Sequence, residues 1–296
     1  MVQKIVPNLW FDHTAAEAAA FYAQVLPNTR VTGTEHYPTE GLLDFQAEFA
    51  GSELVVNFEV DGFAFAGINA GSEFKPNPAI SFFLNFDPSR DPDARAHLDE
   101  VWSALVDGGM ELMPLGEYPF SPHYAWVQDR YGVNWQLMLT NPAGDPRPFV
   151  VPSLMFTGPV RNRAEEAIGF YTDLFGGTGS VPSRYEQQTQ LAAPGSVTYG
   201  EMNLFGQWFA VMDSPVEHPF NFDPGVSLQL NCAGQAELDR YWDALSTVPE
   251  AEQCGWCADR FGVSWQVVPD NLGELMAKPG AYAKLMEMKK IEPSAF

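Results

Sequence analysis

The chain has 296 residues, of which 46% are hydrophobic and 18% are charged. Because a domain usually contains about 100–200 residues, this length predicts two domains, each able to bury its own core. The formal net charge is −22, and such a field repels nucleic acid and anionic lipid. No apolar stretch approaches the ~20 residues of a membrane span, so neither nucleic acid nor a membrane is expected as a partner.

The first half of the chain predicts an alternation of strands and helices. An apolar strand opens near Val6, and Thr14 with Glu17 has the form of a capping box that starts a helix. The run Asp91-Pro92-Asp93 predicts the start of a second helix, because it supplies a cap, a proline in the first turn and an acidic residue favourable to the helix dipole. Alternating hydrophobic residues predict strands over Leu43–Phe49, Glu53–Val60, Ile80–Phe86 and Asn134–Leu139.

The second half predicts the same order of elements. Asn162 followed by Glu165 resembles the first helix start, with Asn162 as the cap. Strand periodicity recurs over Thr198–Leu204, Trp208–Met212 and Val226–Leu230. Helical patterns in the last residues, interrupted at Pro279-Gly280, predict a helical appendage.

Two sequence segments repeat in the same order. Val6–Phe11 is echoed by Val151–Phe156, and Trp126–Gln136 matches Trp256–Gln266 at a constant offset. Between the copies lies a run rich in proline and glycine, which predicts a short linker. We therefore divide the chain into module 1 (residues 1–142), module 2 (residues 149–270) and the C-terminal appendage (residues 271–296).

Cysteine usage indicates the cell compartment. Only Cys232, Cys254 and Cys257 occur, which is not the pattern of a secreted disulfide framework. The N-terminal residues also lack the apolar segment of a secretory signal. Both features predict a cytoplasmic protein. Cys254 and Cys257 have C-x-x-C spacing, but without a second pair this spacing favours neither zinc nor redox chemistry.

The motifs around the repeats resemble a known family. Met113–Ser121, Trp126–Gln136, Cys254–Trp256 and Asp259–Gln266 are similar to PhnB-like proteins, which often carry the label 3-demethylubiquinone-9 3-methyltransferase. They belong to the vicinal-oxygen-chelate superfamily of glyoxalases, bleomycin-resistance proteins and dioxygenases. The resemblance implies an α+β fold of tandem modules, each with two βαβββ units forming a curved eight-stranded mixed sheet around a cavity.

The label's methyl transfer is not supported by the sequence. It has no glycine-rich strand-to-helix loop of the kind that a doubly wound S-adenosylmethionine domain uses. Asp129-Arg130 and Asp259-Arg260 precede a glycine in both copies, and we interpret them as turn residues with an ion pair.

Metal-dependent members of the superfamily hold one divalent ion with His, Gln or Glu side chains from their strands. Because successive side chains of a strand alternate faces, parity places Gln136 and Gln266 where such relatives offer a glutamate. The other cavity-facing candidates carry no imidazole or carboxylate, and they are Asn8, Trp10, Ser81, Phe83, Asn85, Ser153, Ser227, Gln229 and Asn231. Neutral amides and hydroxyls are poor ligands for a transition metal, so we predict no cofactor. His123 is a further candidate at the cavity rim.

Two functions remain open from the sequence. The first is binding of a small molecule in a cavity whose metal site is degenerate. The second is a divergent metal-dependent or metal-free lyase, isomerase or dioxygenase acting on a small carbonyl or aromatic compound. The resemblance also implies that the two modules form an intramolecular pseudo-dimer, and it leaves a homodimer open. Because Val248–Gln253 is shorter than Gly108–Tyr124, module 2 is alternatively a structural partner for module 1.

Overall fold

The computed structural model describes residues 3–42 and 44–296. Each half of the chain contains two units in which a strand and a helix precede further strands. The first half comprises β1 (Ile5–Phe11), α1 (Ala15–Val25), β2 (Thr29–His36), β3 (Glu53–Val60), β4 (Phe63–Asn69), β5 (Ile80–Phe86), α2 (Ala94–Val106), β6 (Met110–Tyr118), β7 (Ser121–Gln128) and β8 (Asn134–Leu139).

The second half repeats this order with one strand fewer. It comprises β9 (Val150–Phe156), α3 (Ala164–Phe175), β10 (Thr178–Arg184), β11 (Val197–Leu204), β12 (Gln207–Asp213), β13 (Val226–Cys232), α4 (Gln235–Leu245), β14 (Trp256–Ala258) and β15 (Ser264–Pro269). Two short helices follow, α5 (Leu272–Met276) and α6 (Ala281–Met286). No helix within the described residues is long and apolar enough to cross a membrane.

The strands form two mixed sheets, and the α+β class is confirmed. Sheet 1 has seven strands in the order β14-β15-β13-β1-β4-β3-β2, and sheet 2 has eight in the order β10-β11-β12-β9-β5-β8-β7-β6. Sheet 1 has one strand fewer, because the second half has only the 3-10 turn Pro249–Ala251 at the chain position that corresponds to β6. The short segment Val248–Gln253 thus has a direct structural consequence.

The assignment of strands to sheets differs from the sequence-based expectation of one sheet per module. β1 pairs antiparallel with β13, and β5 pairs antiparallel with β9. Each sheet therefore combines one unit from each half of the chain. The physical reason is that the opening strand of every unit has a free edge, and the opening strand of a unit in the other half supplies its hydrogen-bond partners.

The two faces of each sheet differ in composition. On one face large apolar side chains pack against the helices, with Phe82 on β5 and Trp135 on β8 as fully buried examples. The alternate residues of the same strands lie on the concave face, where Phe83 joins a separate apolar cluster. This alternation follows from the two-residue period of strands.

A buried aspartate joins a helix to a turn in each half. Asp129 accepts hydrogen bonds from the Tyr22 hydroxyl (2.7 Å) and the Trp135 indole (2.8 Å), and also from the amides of Tyr131 and Val133. In the second half Asp259 makes the same four contacts, with Tyr171, Trp265, Phe261 and Val263. The predicted turn role is confirmed.

The predicted ion pair lies elsewhere. Arg130 pairs with Asp107, because the Asp129 carboxylate is already occupied by its four donors.

Three local predictions are wrong. The segment Leu43–Phe49 is not a strand, since residues Asp44–Phe49 form a 3-10 helix and Leu43 lies outside the described residues. Thr14 precedes α1 but its side chain does not cap the helix. The residue before α3 is Arg163 rather than Asn162, whose side chain instead accepts a hydrogen bond from the Ala193 amide.

Distant strands supply the missing caps. Asn69 accepts from the Ala15 amide (3.0 Å) and Asp213 from the Ala164 amide (3.1 Å).

Candidate functional site

A cavity of about 180 Å³ opens on the concave face of sheet 2. Aromatic and apolar side chains from five strands form most of its wall, and the linker between the halves forms one side. Its principal lining residues are Phe83, Asn85, Phe120, Met138, Val151, Tyr199, Glu201, Trp208 and linker residues 144–147. The site is thus built jointly by both halves of the chain.

A polar group lies on the same concave face at the middle of sheet 2. The Tyr124 hydroxyl donates to Gln136 Oε1 (2.5 Å), and Gln136 Nε2 donates to Ser81 Oγ (2.8 Å). Ser153 lies directly opposite Ser81 in the β5–β9 ladder. The Gln136 side chain thus accepts one hydrogen bond and donates one. Burial raises the pKa of Tyr124 well above its usual value, so this hydroxyl stays neutral.

Two buried hydrogen-bond donors on this face have no partner among the residues that the structure describes. They are Ser153 Oγ and Trp126 Nε1. Trp126 packs beside the concave apolar cluster that contains Phe83 and Tyr124. Because buried donors are nearly always paired, these two atoms are suited to bind a ligand or ordered water.

An ion pair closes one side of the cavity. Arg147 binds Glu201 through two hydrogen bonds, Nε to Oε1 (3.0 Å) and Nη2 to Oε2 (2.7 Å). The guanidinium carbon lies 4.0 Å from the centre of the Trp208 ring, and Tyr199 donates to Glu201 Oε1 (2.8 Å). Burial alone would raise the pKa of Glu201, but the hydrogen bonds from Arg147 and Tyr199 outweigh it and the pKa is lowered.

Sheet 1 carries the corresponding polar residues, and they bind one another. Gln266 Nε2 donates to Ser227 Oγ (2.9 Å), as Gln136 does to Ser81. Asn8 contacts Gln229 Oε1 (3.4 Å), and Gln229 donates to Asn231 Oδ1 (2.8 Å). This face has no counterpart of the Arg147–Glu201 pair among the residues that the structure describes.

The concave side of sheet 1 is further filled by aromatic residues. Trp10 packs edge-on against Phe74 (5.1 Å) and Trp256 (5.9 Å), and its indole nitrogen donates to the Gly71 carbonyl (2.7 Å). Trp10 is therefore engaged by the protein itself.

The C-terminal segment bridges the two edges of sheet 1. The amides of Cys254 and Gly255, just before β14, donate to the carbonyls of Met288 (2.8 Å) and Lys289 (2.7 Å). At the other edge the Tyr282 ring lies 6.2 Å from Tyr37, which follows β2. In space, C-terminal residues therefore lie at the edge of sheet 1 that corresponds to the edge covered by β6 in sheet 2.

His123 does not face the cavity, which corrects its assignment as a rim residue. It alternates with Tyr124 on β7, so its side chain points to the helix layer, where Nε2 lies 2.5 Å from Asp99 Oδ1 on α2. Asn85 does line the cavity, and its side chain also donates to the Pro148 carbonyl (2.9 Å), which fixes the end of the linker.

The residues present do not fit a divalent metal. Among residues 3–42 and 44–296, no three His, Cys, Asp or Glu side chains lie close enough together to hold one. Gln136 and Gln266 are neutral, and each directs its amide nitrogen to a serine. The cysteines offer no alternative, because burial raises the pKa of Cys257 to about 12 and also raises that of Cys254, which disfavours the thiolate.

The family described as 3-demethylubiquinone-9 3-methyltransferase matches the chain twice, over residues 3–138 and 148–268. The chain belongs to this family. A PhnB protein from Bacillus cereus is 30% identical, and the match covers 47% of this chain and 100% of that one, with a TM-score of 0.40. The resemblance to PhnB-like proteins is thereby confirmed.

Two further solved structures are similar to the chain. Glyoxalase I from Zea mays matches 96% of this chain and 97% of its own at 13% identity and a TM-score of 0.51, which shows the shared glyoxalase fold. Protein PA1353 from Pseudomonas aeruginosa is 24% identical over 46% of this chain and 97% of its own, with a TM-score of 0.37. No curated protein matches the sequence.

Several site residues of this family member were missed by the sequence reasoning. Arg147 was assigned to the linker, and Tyr199 and Glu201 lie within a predicted strand whose faces were not assigned. Trp208 opened another such strand. Applying the same parity to β11 and β12 would have placed Tyr199, Glu201 and Trp208 on the concave face, but their contact with Arg147 has no sequence signal.

Proposed function

We propose that the chain binds a small molecule on the concave face of sheet 2, and that it does so without a catalytic metal. The observation that carries this proposal is the pair of buried, unpartnered donors, Ser153 Oγ and Trp126 Nε1, on a face lined by aromatic side chains. A mostly apolar cavity with a few directed polar groups is the usual form of a small-molecule site.

Methyl transfer is not part of the proposal, despite the description of the family. The described strands form mixed sheets, and the cavity lies on a curved face. A doubly wound methyltransferase domain would place its cofactor at the carboxyl ends of parallel strands. The polar group at the middle of sheet 2 consists of Gln136, Tyr124, Ser81 and Ser153. All four side chains are neutral, which supports binding through neutral hydrogen bonds.

We further propose that the two halves act as an intramolecular pseudo-dimer, since residues of both halves line the cavity. Sheet 1 is then the structural partner, because its polar residues satisfy one another and its concave side is packed with Trp10 and Trp256. The proposed location is the cytoplasm, consistent with three free cysteines.

Two measurements test the proposal. The first is metal analysis of the purified protein, for which we expect less than stoichiometric Ni, Zn, Fe or Mn. The second is a thermal-shift screen of diverse small molecules, because a ligand that binds only the native state raises the melting temperature. A stoichiometric metal would overturn the metal-free site, and a screen without any stabilising compound would overturn the binding function.

The variant Ser153→Ala tests whether a compound found in the screen binds at the concave face of sheet 2. Since Ser153 Oγ has no partner among the described residues, the substitution breaks no hydrogen bond between them, and we expect the free energy of unfolding not to fall. Loss of one hydrogen bond to the ligand should weaken binding by roughly 2- to 10-fold. The control is Ser227→Ala, a serine in sheet 1 that accepts from Gln266, and it should leave the affinity unchanged.

A further inference from the structure

Arg147 occupies a receptor made by three other side chains. Glu201 grips its guanidinium with two hydrogen bonds, Trp208 stacks on it at 4.0 Å, and Tyr199 orients the Glu201 carboxylate. A carboxylate beside aromatic faces is a general arrangement for binding a cation, because the ring quadrupole and the negative charge act on the same group.

The receptor and its occupant are held differently. Tyr199, Glu201 and Trp208 lie on the paired strands β11 and β12, whereas Arg147 belongs to the irregular linker. Arg147 can therefore move together with its backbone without breaking a strand ladder.

The fold itself does not require this ion pair. The strand registers of the two sheets correspond, and they place Val55, Asn57 and Ala64 of sheet 1 at the positions of Tyr199, Glu201 and Trp208. Sheet 1 forms without a carboxylate or an aromatic residue at these positions.

A second groove adjoins the cavity at Arg147, and the side chain of Arg147 could move into it. This groove of about 600 Å³ lies beside α1 and α2, and Arg147 and Asp87 line both it and the cavity. Its wall includes the carboxylates of Asp61 and Glu100. Two other carboxylates of the wall are already paired, Asp91 with His97 and Asp87 with Arg90. An arginine that leaves Glu201 can therefore turn toward a groove that carries further acidic groups.

We infer that the cavity of sheet 2 takes a cationic ligand with a planar charged group, of the amidinium or guanidinium class, which replaces Arg147 between Glu201 and Trp208. This inference rests on the proposed binding function. The cavity of about 180 Å³ is below the usual range of ligand sites, roughly 300–1,000 Å³, and displacement of Arg147 enlarges it. The net charge of −22 concentrates cations near the protein and repels anionic ligands.

Three probes of nearly the same shape test the charge preference. Benzamidinium is cationic, benzamide is neutral and benzoate is anionic. Binding to the full chain is measured by calorimetry and by the shift in melting temperature. We expect benzamidinium to bind at least 10-fold more tightly than the other two.

Two variants test the position. Arg147→Ala removes the internal occupant, so it should melt at a lower temperature, bind benzamidinium at least 10-fold more tightly and recover more of its melting temperature on binding. Glu201→Gln should weaken benzamidinium binding at least 10-fold.

If Arg147→Ala does not fold, Arg147→Gln keeps a polar side chain and should show the same gain. Glu59→Gln is the control, since Glu59 pairs with Arg30 on sheet 1, and it should leave binding unchanged.

The outcomes separate the two proposals. Preferred binding of benzoate that is lost in Arg147→Ala would overturn the inference, because Arg147 would then be an anion receptor. Equal binding of benzamidinium to Glu201→Gln would overturn it as well. If none of the three probes binds while hits from the diverse screen do, the cation preference fails and the binding function stands. If the diverse screen also yields no ligand, both fail.

Discussion

At the scale of single residues, Asp129 concentrates four hydrogen bonds on one buried side chain. Its carboxylate accepts from Tyr22, Trp135 and two backbone amides. An asparagine in its place would offer only one acceptor oxygen, and the amide hydrogens would face two of the existing donors. We expect Asp129→Asn to lower the free energy of unfolding by about 2–4 kcal/mol, measured by urea denaturation.

The repeat supplies a matched comparison for this prediction. Asp259→Asn should be destabilising to a similar extent, because Asp259 has the same four donors. Asp107→Asn is the control, since the exposed Asp107–Arg130 pair should contribute about 0–1 kcal/mol. Equal effects of Asp107→Asn and Asp129→Asn would contradict this account of the buried carboxylate.

Glu201 predicts a pH dependence of stability. Its pKa in the folded protein is below the usual 4.5, so the ionised form is favoured by folding. The resulting stabilisation is present above pH 4.5 and is lost as the pH falls through the lowered pKa. We expect the difference in unfolding free energy between the wild type and Glu201→Gln to be constant near neutral pH and to shrink below pH 4.5. A difference that grows on acidification would contradict the ion pair with Arg147.

At the scale of elements, the first helices of the two halves are capped by side chains that end a neighbouring strand. Asn69, the last residue of β4, accepts from the Ala15 amide and donates to the Glu53 carbonyl (3.0 Å). We expect Asn69→Ala to lower the free energy of unfolding by about 1–3 kcal/mol, because two buried backbone groups lose their partners. Thr14→Ala should change it by less than about 0.5 kcal/mol, and thermal denaturation of both variants checks the comparison.

These caps show where sequence reasoning reaches its limit. Local patterns identify strands and the two faces of a strand, so Gln136, Ser81 and Phe83 could be assigned to the concave face from alternation alone. The Thr14 capping motif is also local, but a partner 54 residues away in sequence takes its role. A local pattern cannot reveal that competition, because the distant donor or acceptor enters only when the strands pair.

The same reason explains what was missed in the candidate site. Arg147 and Glu201 are 54 residues apart, and they meet only because β9 pairs with β12. His123 was placed by its nearness to the cavity segment in sequence, whereas strand parity directs it to α2. Where a strand is recognised, its alternation therefore predicts which face a side chain lies on more reliably than nearness in sequence does.

At the scale of the whole molecule, the two halves depend on each other for strand pairing. The edge of β1 is covered by β13, and the edge of β5 is covered by β9. Sequence repeats alone could not distinguish this arrangement from two self-contained modules, since the same opening strands are available for pairing in either case. The internal repeat thus predicts the units, and the pairing of their edges determines the architecture.

This pairing makes a prediction about the isolated first half. Residues 1–142 would expose the edges of β1 and β5, and unpaired edges promote association. Because β13 corresponds to β5 and β9 to β1, two copies of this half can rebuild both ladders with each other. We expect residues 1–142 to form a dimer or to aggregate, and to form a 1:1 complex when produced with residues 149–296. Light scattering coupled to size-exclusion chromatography measures both masses, with the full chain as the control, and a stable monomer of residues 1–142 would show that β13 and β9 are dispensable.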